Sequence, residues 1–135
     1  MKNKFYYFVC LLSLTFLCEI ARSQEPPPGQ LPVNVAGKWT LFCNDPNGTT
    51  STKYLDLKQE GTQIKGHFKG VYQSGGVEGT INERHLVVRT KTRDVTVFRG
   101  RIDGPKVNGV VQGSTFVGTF HNRGGVGSFQ GQRTE

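Results

Sequence analysis

Glycine recurs in this chain in a fixed phase with apolar residues. Ile64-Gly66-Phe68, Val77-Gly79-Ile81, Phe98-Gly100-Ile102, Val107-Gly109-Val111 and Phe116-Gly118-Phe120 each place a glycine two positions from an apolar residue on either side, and Gly127-Phe129-Gly131 is a variant. Successive side chains of a strand point to opposite faces, so each glycine shares a face with its apolar neighbours. A glycine on the inner face makes room for a large side chain opposite and permits sharp coiling of the sheet. A strongly bent, antiparallel sheet is therefore expected. The echoes are too short for the repeat unit of a solenoid or propeller.

The spacing of turn residues points the same way. Alternating segments at 36–43, 53–59, 63–70, 77–82, 85–91, 95–102 and 106–112, with one or two more inside 114–134, read as strands. Glu60-Gly61-Thr62, Asn82-Glu83-Arg84, Asp103-Gly104-Pro105 and Asn122-Arg123-Gly124-Gly125 are short enough to join antiparallel neighbours directly. None of these gaps has room for a crossover helix. The expected fold is all-β: an antiparallel up-and-down barrel of about eight strands, closed so that no edge stays exposed.

The first 23 residues read as an export signal. Lys2 and Lys4 precede an apolar stretch from Phe5 to Leu17, and Ala21-Arg22-Ser23 supplies small residues at a cleavage site before Gln24. The stretch is shorter than the ~20 residues a membrane-spanning helix needs, so no span is expected after cleavage and the protein is expected to be secreted or periplasmic. Residues 24–35 contain Pro26-Pro27-Pro28 and read as an extended, flexible segment, with the barrel domain over 36–135. Removal of Cys10 and Cys18 with the signal leaves Cys43 alone, so no intramolecular disulfide is possible. Cys43 alternates in phase with Trp39 and Leu41, which favours burial as a small hydrophobe over pairing with another chain.

The domain opens Val35-Ala36-Gly37-Lys38-Trp39-Thr40-Leu41 and carries Arg133 at the end of its last strand. Here it resembles the calycin group of barrels, lipocalins and avidins among them. By that resemblance Gly37 and Trp39 match a Gly-x-Trp on the first strand, and Arg133 is the arginine that stacks on the tryptophan, a cation–π contact of ~0.5–2 kcal/mol. Gly37-Lys38-Trp39-Thr40 and Gly66-His67-Phe68 are similar to avidins in particular. Leu41 and Phe42 stand where avidins carry an asparagine and a nearby serine, and Phe68 where they carry a tyrosine, so biotin binding is not implied. Ala36, Gly37, Trp39 and Leu41 also match small periplasmic inhibitors of bacterial metalloproteases. That resemblance implies an inhibitory role for 24–35, although the family's disulfide cannot form here.

The resulting expectation is an exported, non-enzymatic binding module. Trp39, Phe68, Phe98, Phe116, Phe120 and Phe129 are candidates to line a barrel-mouth site for a small apolar ligand, or else to fill the lumen. The first alternative is a protein-interaction or inhibitor role for the N-terminal segment. The second rests on charge: 14 basic against 9 acidic residues remain after residue 23. Lys65, His67, Lys69, Arg89, Lys91, Arg99 and Arg101 alternate away from the apolar positions and are expected on the outer face, where neighbouring strands could merge them into one patch for an anionic polymer. Export and the lack of interleaved aromatics argue against nucleic acid. His67, His85 and His121 have no metal or triad spacing with the acidic residues, so no catalytic residue, metal or cofactor is assigned. Asn47-Gly48-Thr49 is a glycosylation sequon, meaningful only in a eukaryotic secretory pathway.

Overall fold

The computed structural model describes residues 32–134. The expected export signal and all but the last residues of the 24–35 segment lie outside the described residues. Eight strands form a closed antiparallel barrel. In chain order they are β2 (Gly37–Asn44), β3 (Thr50–Glu60), β4 (Gln63–Lys69), β5 (Ser74–Asn82), β6 (His85–Thr90), β7 (Val97–Asp103), β10 (Thr115–Asn122) and β11 (Gly125–Arg133). Each pairs with the next, β7 pairs with β10, and β11 returns to β2 to close the ring.

The period-2 pattern fixes which face is inner. Trp39, Leu41 and Cys43 on β2, Leu55 and Leu57 on β3, Ile64 and Phe68 on β4, and Phe98 and Ile102 on β7 are all buried, while the residues between them are wholly or partly exposed. The glycine phase holds on the barrel wall. Gly100 and Gly118 face each other across β7 and β10, and a methyl group on Gly118 would meet the carbonyl oxygen of Arg99. A methyl group on Gly66 would likewise meet the carbonyl oxygen of Asp56. The wall is thus coiled too tightly at these points for any side chain.

Two boundaries differ from the sequence expectation. Residues 106–112 are not a wall strand; they fold into the hairpin β8 (Lys106–Val107) and β9 (Val110–Gln112), turning at Asn108 and Gly109 with φ of 53° and 77°. Both turn residues adopt positive φ, which Asn-Gly tolerates, so Gly109 marks a turn and not an inner face. The ordered domain also begins before residue 36. β1 (Val33–Asn34) pairs in parallel with β9, and Val33 and Val35 are buried. Gln59 holds this segment: its side-chain oxygen accepts from Val35 N at 2.8 Å and its amide donates to the Val33 carbonyl at 2.7 Å.

The β1–β9–β8 sheet covers the barrel end that holds Trp39. The indole donates to the Val35 carbonyl at 2.9 Å, and the Arg133 guanidinium lies over the ring, its Cζ 5.4 Å from the centroid. Arg133 also donates to the Asn34 carbonyl at 2.7 Å. Inside, aromatic rings interlock: Trp39 meets Phe116, Phe116 meets Phe129 at 4.7 Å between centroids, Phe129 meets Phe98, and Phe98 meets both Phe68 and Phe120. One end is closed and the lumen is packed, which leaves the opposite end.

Candidate functional site at the barrel mouth

The open end carries the connections 45–49, 70–73, 91–96 and 123–124. They surround a cleft of about 740 Å³ in which polar side chains, among them Asp45, Ser51, Lys53, Gln73, Asp94 and Arg123, alternate with apolar surface from Pro46, Phe68, Val71 and Tyr72. Cleft size falls in the range of small-molecule sites.

Lys53 forms the floor. It lies on β3 in phase with Leu55 and Leu57, so the strand points it into the barrel; its side chain is only 11% exposed. A charge placed there requires a partner. Asp45, in the connection that follows β2, supplies it at 3.0 Å between Nζ and Oδ1, with its own side chain 19% exposed. The ammonium also donates to Ser51 Oγ at 2.6 Å and sits 4.9 Å from the centre of the Phe120 ring. Ser51 in turn donates to Asp45 Oδ1 at 3.0 Å. Cys43 pairs in register with Ser51; burial pushes its thiol pKa above the ordinary 9.0, an effect that the nearby Lys53 charge partly opposes. The thiol is therefore neutral and poorly nucleophilic at neutral pH.

The rim is held by side-chain contacts. Gln73 binds both backbone groups of Asp94, donating to its carbonyl at 2.9 Å and accepting from its N–H at 3.3 Å, which ties the 70–73 connection to the 91–96 one. Buried Thr90 accepts from Thr96 N at 2.9 Å and anchors the same segment. Arg123 approaches Asp94 at 3.5 Å.

Of the six aromatic side chains expected to line a site, Phe68 borders the cleft. Phe120 lies beneath Lys53, and Trp39, Phe98, Phe116 and Phe129 are packed against other rings in the core. Gly37 begins β2, and Trp39 and Arg133 meet at the far end. The seven basic candidates are all exposed. The register runs Lys65, Glu78, Arg89 across β4, β5 and β6, and Glu78 pairs with Lys91 at 3.1 Å. A carboxylate on β5 therefore lies between Lys65 and Arg89, while His67 faces Gly76, beside which Lys91 lies.

Sequence reasoning missed Lys53 and Asp45. The available signal was a lysine at the inner phase of an otherwise apolar strand, Lys53-Leu55-Leu57. Among the described residues, no helix is long and apolar enough to cross a membrane. No family model, curated protein or solved structure matches this chain.

Proposed function

We propose that the protein is an exported binding module that takes a small polar ligand in the mouth of the barrel. The observation that carries this reading is the Lys53–Asp45 pair, nearly buried at the floor of an open cleft. A buried ion pair contributes little net stability compared with apolar packing, and here it lies where the lumen gives way to the mouth cleft. A polar floor with fixed hydrogen-bonding groups orients a ligand. The interlocked rings favour a ligand in the cleft over an apolar one in the lumen, and export follows from residues 1–23. The Trp39–Arg133 stack supports a calycin-like reading of the barrel; Gly37-Lys38-Trp39-Thr40 carries the finer likeness to avidins without their biotin-binding side chains.

Ligand-observed saturation-transfer NMR against a library of polar small molecules tests the reading. Hits are expected with the wild-type protein and should be lost in the Lys53→Met/Asp45→Asn double variant, which removes the charged floor and keeps the side-chain volumes. Hits that persist in a folded double variant contradict the assignment.

A further inference from the structure

We infer that the ligand of the mouth cleft is a saccharide, seated with the C–H face of one sugar ring on Tyr72. This rests on the mouth being the binding site, and adds the chemistry of what it takes. Tyr72 is 97% exposed, the most exposed large apolar side chain among the described residues, and it borders the cleft together with the polar side chains of Asp94, Asn122 and Arg123. Its loop is fixed: Gly70 N donates to the Gln73 carbonyl at 2.8 Å, and Gln73 is bound on both sides to Asp94. The backbone that carries the ring is thus held in place, and an aromatic face offers an apolar platform with a hydroxyl at its edge.

The polar groups that border the same cleft suit vicinal hydroxyls. Asp94 presents a half-exposed carboxylate whose Oδ2 has no partner among the described residues. Asn122 accepts from Gly124 N and Asn47 accepts from Thr49, so each side-chain oxygen is occupied while the amide nitrogen has no described partner. Acceptors and donors bordering one cleft match hydroxyls, each of which both donates and accepts. Other ligand classes fit less well. Asp45 and Asp94 oppose a strongly anionic ligand, while Lys53, Arg93 and Arg123 oppose a strongly cationic one.

The test is a glycan array covering neutral and acidic oligosaccharides, followed by titration of the bound sugars against wild type, Tyr72→Phe and Tyr72→Ala, with nucleotides, dicarboxylates and amino acids as non-sugar probes. Saccharide binding that Tyr72→Phe preserves and Tyr72→Ala weakens about tenfold supports the inference. Tyr72 is on the surface, so both variants should unfold at the wild-type temperature. Saccharide binding indifferent to Tyr72→Ala overturns it. Binding of a non-sugar probe that shifts cleft residues, with no saccharide bound, overturns the sugar assignment and leaves the mouth as the site. No probe perturbing the cleft overturns both.

Discussion

The ammonium of Lys53 stands 3.0 Å from the carboxylate of Asp45 and 4.9 Å from the centre of the Phe120 ring, where the apolar lumen gives way to the mouth cleft. The two charges depend on each other. Lys53→Met alone strands a partly buried carboxylate and should cost about 1–3 kcal/mol, less than a fully buried pair because both side chains retain some solvent contact. Adding Asp45→Asn should return most of that loss, giving a coupling energy of about 1–2 kcal/mol in urea denaturation. Additive losses would show that the pair is not energetically coupled.

At the opposite end, Arg133 stacks on Trp39 and holds the Asn34 carbonyl. Partial burial also lowers the pKa of this guanidinium from its ordinary value. Arg133→Ala should destabilise the barrel by about 2 kcal/mol through loss of the cation–π contact and a charged hydrogen bond. Arg133→Lys should recover less than half, because an ammonium lacks the planar stacking surface. Full rescue by lysine would show that charge alone matters.

Glycines on the wall should divide sharply by where their missing side chain would point. Gly118→Ala and Gly66→Ala drive a methyl group into a neighbouring carbonyl oxygen and should each cost more than about 2 kcal/mol. Gly76→Ala meets nothing closer than 3.8 Å and should stay within about 0.5 kcal/mol of wild type. Equal effects at the three sites would refute the close strand approach.

Cys43 gives a pH dependence of known sign. Its pKa is raised in the folded state chiefly by burial, so the native form holds its proton longer than the unfolded chain does. That contribution is fully present below the unfolded value of 9.0 and is lost as pH rises through the folded value. Stability should fall above pH 9 more steeply in wild type than in Cys43→Ala, and iodoacetamide should label the native thiol only on unfolding. Rapid labelling of the folded protein would contradict its burial.

The barrel was legible because strand alternation and glycine phase are both local patterns. Ile64-Gly66-Phe68 and Phe116-Gly118-Phe120 carry their inner face in the sequence itself. Val107-Gly109-Val111 shows the same pattern, yet Asn108 and Gly109 form a two-residue turn, and one-dimensional spacing does not separate a turn glycine from a wall glycine. Trp39 and Arg133 were paired by resemblance, and the structure places them in contact. The mouth was harder to read. Asp45, Tyr72, Asp94 and Arg123 come from four connections that only barrel closure brings together, and Lys53 is charged where the alternation calls for an apolar residue.

The mouth as the binding site is tested most directly by amide chemical-shift mapping of the labelled protein with the polar library and the oligosaccharides. Perturbations confined to residues 45–53, 70–73, 91–96 and 122–124, and abolished in Lys53→Met/Asp45→Asn, are the expected result. Perturbations centred instead on Arg89, Arg99 and Arg101, and removed by added salt, would place binding on the outer basic face and contradict it.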